Sequence, residues 1–267
     1  MTSERLSQNW LDDGFVAVRG AFSEDMMELL RVGTEKAMSE PSETSKEYAE
    51  EGKGRFFTDH HMHRRIPEFK KFLDDSTVKD LGGHLMRSKK LNLFDEHLLV
   101  KEPGTENPSY WHQDLPYYEI AGTQIISMWI PMDPTSPESG SISFVRGSHR
   151  WGKVFQPIRI GLGDLVEEAE TFDGPAPDIE AEPEKYDIVT FDDLEPGDCL
   201  AFQAAVLHYA SPNVSTGTRR RAVSIRFAGD DVTWQPRPYI PSVTDSPDLV
   251  AGGPLDSDQY PVVWTEA

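Results

Sequence analysis

The chain has 267 residues, enough for one large domain with a real core, and its six tryptophans and apolar content exclude a disordered chain. Lysine and arginine total 26 against 46 acids, a formal charge of −20, so nucleic acid and anionic membranes are not expected as partners. A single cysteine, Cys199, rules out an internal disulfide and points to a reducing, cytoplasmic setting.

The opening residues hold no apolar run of signal-peptide type, and no stretch approaches the roughly 20 apolar residues of a membrane helix. "GFVAVRG" reads as a short strand. "FSEDMMELLRVGTEKAM" reads as a helix capped by Ser23, with Glu24 and Asp25 in its first turn and Met26, Met27 and Leu30 on one face. "PEFKKFL" and "STVKDLGGHLM" read as two more helices, the second capped by Ser76. Just before them "RFFTDHHMHRR" gathers His60, His61 and His63 with Arg55, Arg64 and Arg65, and no strong metal spacing. We expect a loop near a site mouth, either simply solvated or recognising an anionic group through residues such as Arg55 and His61.

From residue 91 the texture changes to short apolar or alternating runs: "LNLFDEHLLVK", "QIISMWIPM", "SISFVRG", "DCLAFQ", "AVLHYA" and "RAVSIRFAG". Glu195-Pro196-Gly197-Asp198 is a turn, with proline fixing one dihedral and glycine permitting a positive one. Helices followed by many short strands predict a mainly β protein with α: a β-sandwich or jelly roll with an N-terminal helical layer packed on one outer face. The expected single domain divides into a helical layer over 1–90, a barrel over 91–230 and a tail over 231–267. The acidic, Pro- and Gly-rich run 161–187 is an insertion, a lid or a solvated linker.

Chemistry concentrates in "PSYWHQDLPYYEI". On a strand, residues two apart share a face, so His112 and Asp114 could reach one cation together. His208, in "AVLHYASPN", is the candidate third ligand. Two imidazoles and one carboxylate on one face of an octahedron leave three positions open, the facial triad of non-haem Fe(II) oxygenases. Tyr117 and Tyr118 would supply a partly apolar substrate wall.

The order of these motifs resembles the phytanoyl-CoA dioxygenase family. Lys101, His112-Gln113-Asp114, Trp129, Gly147-Ser148-His149, Pro196-Gly197-Asp198, His208, Asn213, Arg220 and Ala222 fall on the family pattern over residues 91–230. The sequence departs from it in placing Ser139 before Gly140 and in a longer run from His208 to the arginine. The resemblance implies a double-stranded β-helix, cupin-like, binding Fe(II), 2-oxoglutarate and O2, with release of succinate and CO2 as a small-molecule substrate is hydroxylated or otherwise oxidised. It implies His112, Asp114 and His208 as catalytic metal ligands, and Arg220, Trp129 and Lys101 around the co-substrate. A guanidinium offers two parallel donors to the far carboxylate of 2-oxoglutarate. Strand alternation sets Arg220, Ala222, Ser224 and Arg226 on one face and favours Arg220, with Arg219 next. Two rivals are weighed. A halogenase of this fold lacks the carboxylate that Asp114 supplies, and a jelly-roll binding protein would carry only a vestigial metal site.

Overall fold

The computed structural model describes residues 3–48, 54–158, 165, 172–237, 239 and 248–266. Helix α1 (Ser3–Asp13) leads into β1 (Phe15–Val18), then α2 (Glu24–Ser39), β2 (Lys46–Tyr48) and β3 (Phe56–His60). Helices α3 (Pro67–Asp75) and α4 (Val78–Met86) complete the helical layer. The strands that follow are β4 (Lys90–Lys101), β5 (Ser109–His112), β6 (Ile120–Ala121), β7 (Ile125–Pro131), β8 (Ile142–Val145) and β9 (Ile188–Phe191). They continue with β10 (Cys199–Gln203), β11 (His208–Ala210), β12 (Arg220–Ala228), β13 (Thr233–Trp234) and β14 (Val262–Thr265).

Two antiparallel sheets face each other, as the jelly roll requires. The larger runs β1-β10-β7-β12-β4-β3-β2, with β14 also pairing to β4; the smaller runs β5-β11-β8-β9. β6 and β13 form a separate ribbon. The period of two sorts each strand into faces. Val223, Ile225 and Phe227 join Met128, Ile130, Met27, Leu30, Phe69 and Phe72 in the core under the helices. Trp129, Leu200, Phe202 and Ala222 pack instead with Ile142 and Phe144 of the smaller sheet, inside the barrel.

Helix α2 starts as its sequence demands. Ser23 Oγ accepts from the Met26 N–H, with Glu24 and Asp25 in the first turn. Pro67 opens α3, where its missing N–H costs nothing. At α4 the cap is Thr77 and not Ser76, whose hydroxyl nevertheless accepts from the Val78 N–H at 3.4 Å. Gly197 has φ +97°, as the predicted turn needs.

The layer over 1–90 is not wholly helical: β1, β2 and β3 belong to the larger sheet. "RFFTDHHMHRR" is therefore no simple loop. Its first half is β3, with Phe56 and Phe57 fully buried. The tail likewise adds β14 to β4. Of the 161–187 insertion, 161–164 and 166–171 lie outside the described residues. Within its later part, Ile179 is buried against Val145, Phe155 and Leu207.

Candidate active site

β5 and β11 are antiparallel neighbours, and His112 is the cross-strand partner of His208. Their ring centroids lie 4.2 Å apart. Each imidazole donates Nδ1–H to a carbonyl two residues earlier in the chain: His112 to Tyr110 at 2.6 Å and His208 to Val206 at 3.1 Å. That bond fixes the tautomer and leaves each Nε2 with a free lone pair. The chain leaves β5 at Gln113, whose amide spans the Lys153 and Ala205 carbonyls and accepts from the Phe155 N–H. Asp114 follows in a helical conformation, φ −73° and ψ −34°, heading a single 3-10 turn. The expected strand alternation thus does not bring Asp114 beside His112; the turn at the strand end does. Asp114 Oδ1 lies 3.8 Å from His112 Nε2 and 3.9 Å from His208 Nε2. One ligand atom from each of the three buried residues lies within 4.8 Å of the other two, a set that can hold a metal ion. It is the only such group among the described residues.

Electrostatics suit a divalent cation. Burial lowers the His112 pKa to about 3, helped by His208, and burial also lowers His208. Both rings are neutral ligands at neutral pH. Burial opposes ionisation of Asp114, but Arg226 and the two imidazoles outweigh it and hold the carboxyl well below its ordinary range. Two neutral nitrogens and one anionic oxygen result.

Further along the inner face of β12 sits Arg220, fully enclosed and stacked 5.8 Å from the Trp129 ring. Burial pushes its pKa down to about 10, and its Nε has no hydrogen-bond acceptor. Its cross-strand partner Lys101 is equally buried and donates to the Ser211 carbonyl at 3.0 Å. Burial, then the neighbouring Arg220, drives Lys101 well below the usual lysine range. Gly140, at φ +116°, turns the chain so closely past Arg220 that a Cβ there would lie 3.4 Å from Nε. The adjacent arginines differ. Arg219 pairs with Glu35 and Glu102; Arg221 grips Asp133 through Nε at 3.0 Å and Nη2 at 2.7 Å.

Tyr117 stands edge-on to His112, with its hydroxyl bonded to both the Ile158 carbonyl and N–H. Tyr118 is buried against Phe94, with the Arg226 guanidinium 5.2 Å over its ring. Arg55 and His61 do not meet. Arg55 pairs with Glu47 just before the β3 residue opposite Lys101; His61 follows the β3 residue opposite His97. The expected positive patch is neutralised: Arg65 pairs with Asp59, His63 with Glu96, and His60 with Asp95 at 3.1 Å. His149 bonds the Leu11 carbonyl and is not part of the metal-binding group.

Sequence reasoning passed over a buried polar group behind Asp114. Ser127 Oγ donates to Asp114 Oδ2 at 3.0 Å, and Arg226 Nη2 lies 3.6 Å from the same oxygen. Arg226 in turn pairs with Asp95 at 2.6 Å. Its shared face with Arg220 was legible in the strand pattern. What was missing is that Arg226 meets Asp114, whereas Arg220, about 20 Å away along the strand, stacks on Trp129.

Two imidazoles on neighbouring strands of the smaller sheet and a buried carboxylate in the turn that follows, with the buried cations Arg220 and Lys101 on the larger sheet, define a metal-dependent oxygenase type of architecture. The chain belongs to the phytanoyl-CoA dioxygenase family, whose model matches residues 10–222. It is 25% identical to a phytanoyl-CoA dioxygenase of Arabidopsis thaliana over 64% of this chain and 56% of that protein. It is 26% identical to a probable alpha-ketoglutarate-dependent hypophosphite dioxygenase of Stutzerimonas stutzeri over 58% of this chain and 50% of that one. The chain spans about half the length of the curated relatives it matches. Among solved structures, SnoN, a non-heme alpha ketoglutarate dependent epimerase from nogalamycin biosynthesis, superposes with a TM-score of 0.75 at 21% identity, covering 99% of this chain and 97% of that one. That likeness confirms the jelly-roll fold.

Proposed function

We propose that this protein is an Fe(II)- and 2-oxoglutarate-dependent dioxygenase that hydroxylates or otherwise oxidises a small-molecule substrate, releasing succinate and CO2. One observation carries the reading: two Nε2 lone pairs and one carboxylate oxygen converge in a buried pocket, with both imidazole tautomers fixed from behind. Such a set holds Fe(II) on one face and leaves sites for a bidentate co-substrate and O2. Bound iron with 2-oxoglutarate supplies the oxidant for a C–H bond.

The chain's own residues position and enclose. His112, Asp114 and His208 are the metal ligands. Arg220 and Lys101, two buried cations, take the far carboxylate of 2-oxoglutarate; the unpartnered Arg220 Nε supports this, because a buried donor without an acceptor is costly unless a ligand satisfies it. Trp129 walls the co-substrate, and Tyr117 and Tyr118 wall the metal side, keeping water from the reacting atoms. Asp114 fills the position that a halogenase leaves for halide. Arg55 and His61, which flank β3 on either side, are retained as candidate substrate contacts.

No helix among the described residues is long and apolar enough to cross a membrane. The buried lone Cys199 suits a reducing, cytoplasmic setting. The substrate is a small molecule, and the −20 charge weighs mildly against a highly anionic one.

The test is aerobic incubation of purified protein with Fe(II), ascorbate and 2-oxoglutarate across a metabolite panel. We expect slow succinate release alone and stimulation by the true substrate. No succinate under any condition, from folded and iron-loaded protein, would refute the proposal.

A further inference from the structure

Asp114 has two oxygens with different surroundings. Oδ1 faces the two imidazole Nε2 atoms. Oδ2 accepts from Ser127 Oγ at 3.0 Å and lies 3.6 Å from Arg226 Nη2. A guanidinium beside a metal-binding carboxylate is electrostatically awkward, because it repels the cation that the carboxylate must attract. Its placement here is not accidental packing. Arg226 Nη1 donates to Asp95 Oδ2 at 2.6 Å, Nη2 lies 3.4 Å from His97 Nδ1, and the ring of Tyr118 lies beneath. Asp95 is held in turn by His60 Nδ1, and His60 stacks on His97 at 4.2 Å.

The backbone is bent to build this group. Pairing of β4 with β12 slips by one residue between Arg226 and Phe227. On β4, Leu91 and Leu93 face the helical core, as do Leu98 and Val100. Odd residues face the helices before the slip and even ones after it. The bulge therefore turns Asp95 into the barrel opposite Arg226 and sends Phe94 to a separate cluster with Tyr118.

We propose that Arg226 is a positioning residue that keeps Asp114 a one-oxygen ligand. Ser127 donates to Oδ2 and the Arg226 guanidinium holds that oxygen by charge at 3.6 Å, which leaves Oδ1 as the ligand atom. A carboxylate free to swing would bind through both oxygens and take a coordination position that the co-substrate chelate needs. Arg226 thus trades metal affinity for an open site. This inference rests on the Fe(II)/2-oxoglutarate reading above.

The test compares wild type, Ser127→Ala, Arg226→Gln, and Arg226→Gln with Asp95→Asn. The last variant avoids stranding a buried charge, and Ser127→Ala leaves the ion pair intact, so at least one variant should fold. Two binding readouts are taken without turnover: Co(II) affinity by calorimetry, and anaerobic 2-oxoglutarate affinity of the Fe(II)-loaded protein from the absorption of its chelate. We expect Co(II) affinity equal to or tighter than wild type in the Arg226 variants, with 2-oxoglutarate binding weakened at least tenfold. Ser127→Ala should shift both in the same directions by less. Metal affinity reduced tenfold or more with 2-oxoglutarate affinity unchanged would overturn the proposal and make Arg226 a purely structural support. If wild type itself binds neither ligand, the parent reading fails and the positioning role with it; if wild type binds both and the variants match it, the positioning role alone fails.

Discussion

Arg219, Arg220 and Arg221 are consecutive guanidiniums in three environments, and only the middle one is buried without a carboxylate partner. Arg220→Ala should raise the KM for 2-oxoglutarate by roughly 30- to 150-fold, the equivalent of about 2–3 kcal/mol for a lost charge-assisted contact. Arg219→Ala, which loses only pairs with Glu35 and Glu102, should leave that KM within about twofold. Steady-state kinetics decide; the reverse ranking would move the contact by one residue. Lys101 adds a pH signature. Its pKa lies well below the ordinary lysine value because it is buried beside Arg220. Raising the pH through that lowered value removes a buried cation that the proposed function sets beside the co-substrate. The KM for 2-oxoglutarate should therefore climb before the usual lysine range is reached, and Lys101→Met should flatten the climb. A KM independent of pH in the wild type would contradict this.

At the scale of elements, the strand pattern of "RAVSIRFAG" was fully legible: alternation alone separates Ala222, Ser224 and Arg226 from Val223, Ile225 and Phe227, and the packed faces agree. Less could be read where one residue breaks the period. The bulge on β4 leaves no mark in "LNLFDEHLLVK", yet it decides that Asp95 points inward. The helical turn at Asp114 is likewise invisible to a two-residue spacing argument. β3 escaped because it is buried on both faces, Phe56 and Phe57 alike, and so shows no alternation, and because histidines and arginines crowd the stretch around it. The β14 tail docks through Trp264, which crosses α4 at Gly83 so closely that a Cβ there would lie 2.5 Å from the ring. Gly83→Ala should therefore dislodge β14 and destabilise the protein by about 1–3 kcal/mol despite alanine's better helix propensity. A thermal melt checks this, and an unchanged or raised Tm would show that the ring can move aside.

For the whole molecule, buried titrating groups set the response to acid. His97 is held well below the ordinary histidine value by burial and by His60. The unfolded chain therefore takes its proton first, near pH 6.5, and stability present above that value is lost as the pH falls below it. Asp95, lowered by His60 and Arg226 against the cost of burial, contributes stability above the usual carboxylate range that is lost at still lower pH. Acidification also relieves self-repulsion of a chain carrying −20, so the two effects oppose each other. We expect the buried groups to win, with Tm falling steadily from pH 7 to 4 in calorimetry; a rise would mean that surface repulsion dominates.

The central claim is that "WHQD" builds a metal ligand set and is not merely packed. It is tested most directly by succinate release from Asp114→Ala beside wild type under saturating Fe(II), with a melting curve for each. Asp114 is buried, but it faces two imidazoles and makes no part of an apolar cluster. The account predicts at least a roughly 100-fold loss of 2-oxoglutarate turnover with the fold retained. Normal turnover by the variant, or a variant that simply unfolds, would contradict it.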